Sequence, residues 1–234
     1  MLQDLTNGNI GRVPSIILHV DGGCEPKNPG GIATSAWVAF DEEGNRLAQE
    51  ARVVADGPRA TNNYAEYCAL GFALRWLSDN GYRGHIHVRS DSKLLVHQVL
   101  KEWKCNVQHL KDLRARIWEL LDGMGIYVTN EANRKILETS GMAEPDQKYC
   151  TLKWVPRAEN ECADSLGRSV YEAYLRNRPK NQSRPKQPPP QKKIQPGGER
   201  FVCQSCGHRG AIRELRIEDG DFCCPLCQSS ALEF

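Results

Sequence analysis

At 234 residues, 40% hydrophobic and 26% charged, the chain has the composition of a soluble globular protein and the length for one well-buried domain plus a small accessory module. The net charge of +2 announces no nucleic-acid binder, but residues 177–198 carry six basic side chains (Arg178, Lys180, Arg184, Lys186, Lys192, Lys193) and no acid, and subtracting those six leaves −4 for the rest. No apolar run approaches the roughly 18–20 residues of a membrane span, the N-terminus lacks the pattern of a secretory signal, and five of the ten cysteines crowd into the last 32 residues, so the expectation is a cytoplasmic monomer with one cysteine metal site rather than a disulfide scaffold.

Taken in chain order, residues 1–14 form an N-terminal extension. Residues 15–21 (SIILHVD) are a β-branched apolar run ending at an acid, which predicts a strand, and the segment GGCEPKNPGG predicts a turn. Residues 32–40 and 46–55 predict a second and third strand, joined by the turn DEEGN as an antiparallel hairpin. A helix is expected over 63–79, capped by Thr61 or Asn62, with Ala65, Ala69, Phe72, Leu74, Trp76 and Leu77 as core positions. Residues 85–91 (HIHVRSD) predict a fourth strand, again closing on an acid. Helices follow over 92–103, with Leu94, Leu95, Val99 and Leu100 inward, and over 108–122. Residues 125–148 suggest only a short helix around Glu131–Glu138 and a loop. Residues 149–156 predict a fifth strand and 159–176 a last helix. Three strands followed by helix–strand alternation fit an α/β fold, a mixed sheet with flanking helices. Residues 177–199, rich in proline and lysine, bury too little apolar surface to fold and are expected to be a flexible linker to a cysteine module at 200–234.

Four acids stand in distinctive settings. Asp21 ends a strand and precedes two glycines, Glu66 lies on the first turn of a helix, Asp91 ends another strand, and Asp164 lies on the last helix. Acids at the ends of adjacent strands project to one edge of a sheet, where helix acids can join them. Held together in a low-dielectric site they repel unless cations neutralise them. Magnesium suits hard oxygen ligands, and two such ions about 4 Å apart can activate water and stabilise the leaving oxygen of a phosphodiester.

These residues carry a family resemblance. VDGGCEPKNPGG, ATNNYAEYCAL, VRSDSKLLVHQV and WVPRAENECADSLGR are similar to the four successive motifs of type I ribonuclease H, in order and over about residues 15–176. The resemblance implies that fold, with a five-stranded mixed sheet, and hydrolysis of the RNA strand of RNA–DNA hybrids to 5′-phosphate and 3′-hydroxyl ends. It implies two Mg2+ or Mn2+ ions held by Asp21, Glu66, Asp91 and Asp164, with Asp21 bridging both. It also implies substrate contacts from Gly22, Gly23, Asn28, Asn62 and Asn63, with Thr61 at a DNA phosphate. The 2′-hydroxyl, both donor and acceptor, would distinguish RNA from DNA.

The chain departs from the family in two places. The loop before the last acid, PRAENE, lacks the usual histidine, and none of the six histidines falls within 110–207. Arg157 is the candidate replacement, able to stabilise a phosphate or aid product departure although it cannot shuttle a proton near neutral pH. The basic protrusion of some relatives is reduced to WKCNVQHLKD, with Lys104 and Lys111.

The two CxxC pairs Cys203/Cys206 and Cys224/Cys227, with 17 residues between Cys206 and Cys224, have the spacing of a four-cysteine zinc site and resemble the knuckles of a zinc ribbon. Cys223 could replace Cys224 only by breaking the spacing, and His208 is a weaker alternative. A module this small needs its zinc to fold. Its partner is either further nucleic acid or a protein. The four arginines against six acids of residues 199–234 argue against strong nucleic-acid binding, while the basic linker attracts phosphates without sequence preference. Two other functions compete with the hybrid-specific endonuclease: a metal-dependent DNA nuclease or resolvase, and a non-catalytic hybrid-binding protein. The TNN segment and ENECADSLGR weigh against the first, and the presence of all four acids against the second.

Overall fold

The computed structural model describes residues 13–140 and 147–178, together with the backbone of five short strands between residues 200 and 233. The chain divides into two compact units, one of residues 1–104 and 112–177, the other of residues 105–111 and 178–234.

The first unit is built on a six-stranded sheet of order β3-β2-β1-β4-β6-β5. Strand β1 (Ser15–Glu25), β2 (Ile32–Phe40) and β3 (Arg46–Asp56) form an antiparallel meander. Strand β4 (His85–Ser90) pairs parallel with β1, β6 (Lys148–Trp154) parallel with β4, and β5 (Ile126–Thr129) parallel with β6. Five strands were expected, so β5 is a correction. It is a four-residue run, IYVT, entered through Gly125 at a φ of 71°. A segment that short carries no readable alternation. The short helix expected after it is present as α4 (Glu131–Thr139).

Strand β1 also runs farther than its apolar stretch. Backbone pairing continues through Gly22 and Gly23 to Glu25, opposite Ile32, which shortens the predicted turn to residues 26–31. Helix α1 (Asn62–Asp79) packs across β1 and β2, and α5 (Glu161–Asn177) packs across β1, β2 and β3. The core lies between α1 and the sheet. Ile16, Leu18, Val20, Ile86 and Val88 are buried, as are Leu70, Leu74 and Leu77 of α1. A fully buried leucine contributes about 1.5–3 kcal/mol through removal from water. Of the expected core positions on α1, Ala65, Ala69, Leu74 and Leu77 are buried. Phe72 and Trp76 are half-buried, Phe72 under the Arg52 guanidinium and Trp76 against Trp37.

Helix α2 (Lys93–Val99) stops four residues before the predicted end. Lys101 adopts a φ of 64°, Glu102 N donates to His97 O at 2.9 Å and Lys101 N to Gln98 O at 3.2 Å. This is a Schellman ending with lysine where glycine is usual, so the sequence gives no stop signal. The Lys101 ammonium lies 4.0 Å above the Trp118 ring of α3 (Gln108–Gly123), a contact that favours this conformation. Leu95 and Val99 face inward as expected. Leu94 and Leu100 are half-buried, and Val96 and Gln98 take the remaining buried positions.

In the second unit β7 (Arg200–Cys203) pairs antiparallel with β8 (Arg209–Ala211) and β11 (Leu232–Glu233), and β9 (Arg216–Glu218) with β10 (Asp221–Cys223). Of the expected zinc ligands, Cys206, Cys224 and Cys227 lie outside the described residues, and Cys203 is described in its backbone alone. Residues 179–199 of the expected linker also lie outside them. No helix among the described residues is long and apolar enough to cross a membrane.

Candidate active site

Strands β1 and β4 run parallel with Val20 level with Ser90, so Asp21 and Asp91 emerge side by side. This is the point in the sheet where antiparallel pairing gives way to parallel, the usual place for a site in an open α/β sheet. Helix α1 begins at Asn62, with Thr61 as N-cap accepting a hydrogen bond from Tyr64 N at 3.1 Å. Glu66 therefore lies just beyond the first turn. Its approach depends on Gly22, where an added Cβ would come within 2.2 Å of Glu66 N. Helix α5 follows a 3-10 turn at Arg157–Glu159 and carries Asp164 in its first turn.

The structure brings together ligand oxygens of Asp21, Glu66 and Asp91 within 4.8 Å of one another. Asp164 lines the same cleft, of about 210 Å³, but its carboxylate is engaged by the Arg157 guanidinium. Gly22, Gly23, Asn62, Arg157, Arg168 and Tyr171 also line it. Asn28, in the loop after β1, accepts from Asn62 N at 3.1 Å, which ties that loop to the start of α1. Thr61 and Asn63 adjoin Asn62 without lining the cleft. A larger depression of about 610 Å³ between α2, α3 and β5 is lined by residues such as Val99, Trp118 and Ile126. It lies away from the clustered acids, so size does not identify the site here.

The electrostatics of the cleft are those of an unneutralised anion cluster. Asp21 is pushed up to about 7, first by burial and then by the charges of Asp91 and Asp164, with Arg157 opposing. Glu66 is held well above the ordinary carboxylate range by burial and by Asp21 and Asp91, against the Gly22 N–H that donates to it. Its Oε2 is buried and lacks a hydrogen-bond partner, as does Asn62 Oδ1. A hard divalent cation would answer each of these features. The donors are all carboxylate oxygens, they converge, and one is orphaned in a site that penalises negative charge.

Two residues were missed by sequence reasoning. Asn160, fully buried between the 3-10 turn and α5, donates from Nδ2 to Val20 O at 2.9 Å and to Asp91 Oδ1 at 3.0 Å. Its Oδ1 lies 3.1 Å from Nδ1 of the buried His19. The position of Asn160 at the head of the last helix, four residues before Asp164, was the available signal. Trp154, 40% exposed, donates from Nε1 to Asp91 O at 3.0 Å.

A family profile described as Reverse transcriptase-like matches residues 19–134. A ribonuclease HI of Halobacterium salinarum is 33% identical over 144 residues, covering 62% of this chain and 58% of the relative, so the match spans less than two thirds of that protein. Among solved structures, ribonuclease H1 of Halobacterium salinarum superposes with a TM-score of 0.52 at 29% identity, covering 68% of this chain and 98% of the other. The N-terminal ribonuclease H domain of a Mycobacterium tuberculosis protein gives 0.54 at 25%, covering 70% and 98%. LC11-RNase H1, solved in complex with an RNA/DNA hybrid, gives 0.52 at 27%, covering 68% and 99%. In strand order, in the placement of its acids and in the relatives it matches, the first unit of this chain is similar to ribonucleases H of type I.

Proposed function

We propose that the chain is an endonuclease that hydrolyses the RNA strand of RNA–DNA hybrids, leaving 5′-phosphate and 3′-hydroxyl ends. The observation that carries this reading is the convergence of Asp21, Glu66 and Asp91 within 4.8 Å in a cleft that Asp164 also lines. These four acids would hold two Mg2+ or Mn2+ ions, which supply water activation and stabilisation of the leaving oxygen. Gly22 and Gly23 line the cleft beside the acids and would present main chain to the substrate. Asn62 lines the cleft and would meet the substrate, and Asn28, Thr61 and Asn63 flank it on the same loop and helix start. Arg157 extends from the cleft with a side chain 67% exposed and would meet a scissile or product phosphate.

The C-terminal unit is proposed as a zinc ribbon joined to the catalytic domain (15–176) by the linker 177–199. Support comes from the CxxC spacing and from the two antiparallel strand sets, with Cys203 closing β7 and Cys224 following directly on β10 in sequence. Its structural zinc would sit on Cys203, Cys206, Cys224 and Cys227. The basic linker and the ribbon would add affinity for long hybrids where the protrusion is reduced.

Titrating Mg2+ and Mn2+ against labelled hybrid, duplex RNA and duplex DNA tests the central reading. Cleavage confined to the RNA strand of the hybrid is expected, whereas DNA-duplex cleavage would favour a resolvase and metal-independent binding without cleavage a hybrid-binding protein. Truncation after Asn177 is expected to raise KM for long hybrids about threefold or more at low salt, with kcat nearly unchanged.

A further inference from the structure

The hydrogen bonds around Asn160 fix more than a helix start. Both amide hydrogens face acceptors, Val20 O at 2.9 Å and Asp91 Oδ1 at 3.0 Å. That leaves Oδ1 toward His19 Nδ1 at 3.1 Å, so the imidazole donates from Nδ1. The Asn160 backbone carbonyl accepts from Ala163 N at 3.1 Å and Asp164 N at 3.2 Å. One fully buried residue therefore touches the strand that carries Asp21, the carboxylate of Asp91 and the first turn that carries Asp164. If the amide turned over, its oxygen would oppose two acceptors in a site without water to relieve them. The His19 ring is itself placed by β1 and by an edge-on contact with Phe40, with centroids 5.7 Å apart at 84°.

We propose that His19 and Asn160 act together as a positioning unit for the metal-ligating acids. His19 locks the sense of the Asn160 amide, and the amide holds one oxygen of Asp91 so that the other is presented to a cation in a fixed direction. Outer-shell groups of this kind orient a ligand and tune its affinity without touching the ion. The inference rests on the reading of Asp21, Glu66, Asp91 and Asp164 as metal ligands.

The test uses the full-length protein with three readouts: Mn2+ affinity by calorimetry without substrate, kcat and KM on hybrid, and Tm. His19→Leu keeps apolar bulk beside Phe40 but removes the donor. His19→Asn restores a donor nitrogen at the same number of bonds from the backbone. We expect H19L to lower Mn2+ affinity and kcat about tenfold each, with KM little changed, and H19N to recover most of both. N160D, which keeps the shape but turns a donor into an acceptor beside Asp91, is expected to lose more Mn2+ affinity than N160A. A residue that merely staples the helix would show the opposite order, because the isosteric change disturbs packing least. The proposal is overturned if H19L stays within about twofold of wild type in Mn2+ affinity and kcat, or if H19L and H19N are equally impaired. A wild-type protein that cleaves no hybrid, but whose Mn2+ affinity follows the H19L and H19N pattern, would sustain the positioning unit and remove the nuclease reading.

Discussion

Ligand oxygens of Asp21, Glu66 and Asp91 lie within 4.8 Å of one another and none is seen in an ion pair among the described residues, whereas Asp164, in the same cleft, is paired with Arg157. Asp21 and Glu66 favour a cation from outside the chain, because burial and the neighbouring carboxylates penalise their charged forms. The fourth is already neutralised, and an ion that engaged it would have to displace a guanidinium. The contrast separates a strongly attracting part of the site from an exchangeable one, a division that would serve the proposed nuclease in releasing its product as well as binding its substrate.

The largest expected effect comes from breaking the first group. Asp91→Asn is expected to reduce kcat on hybrid about a thousandfold or more while hybrid affinity, measured without cleavage, changes little. Equal loss of binding and turnover would show that the acids position substrate rather than metal. Next is Arg157→Ala, which frees Asp164. Turnover should fall about tenfold, while the Mg2+ concentration giving half-maximal activity should drop because a competing cation is gone. Arg157→Lys should lie between, since an ammonium is a point charge without the fork. If product release and Mg2+ dependence are unmoved by R157A, the division above fails.

The smallest effect concerns stability. The folded pKa of Asp21 is about 7, above its ordinary 3.8, so the folded state binds more protons than the unfolded one between those values. Metal-free stability therefore falls as pH rises from about 4 to about 7 and is regained on acidification. Asp21→Asn should raise the metal-free Tm at pH 8 by about 2–4 °C, give no gain below pH 4, and lose its advantage when Mg2+ is added. Thermal melts with and without Mg2+ across that range would check it.

Much of the first unit was legible because its signals are local. β-branched runs closing on acids announced β1 and β4, and Thr61 announced the start of α1. The four acids could be named because each stands in a recognisable local context. What escaped was set at a distance. Strand β5 exists because β6 offers an edge to four residues. The ending of α2 depends on a lysine taking a left-handed conformation. His19 and Asn160 meet across 141 positions, and neither has a neighbour in sequence that betrays the other. Arg157 was noticed for its place in the loop, but its pairing with Asp164 depends on how the 3-10 turn folds back on α5.

The contact at Gly22 has a consequence for which ions the cluster can accept. A methyl group there would lie 2.2 Å from the Glu66 nitrogen and 2.5 Å from the Ala65 carbonyl carbon, so β1 and α1 meet main chain to main chain. Side chains repack and backbones do not, so the main-chain aperture from which the Asp21 and Glu66 side chains extend is gauged by the stiffest material the protein has. An aperture of that kind suits a small ion with strict coordination better than a larger, more accommodating one. Sieving by ionic radius would thus follow from an atom that glycine lacks.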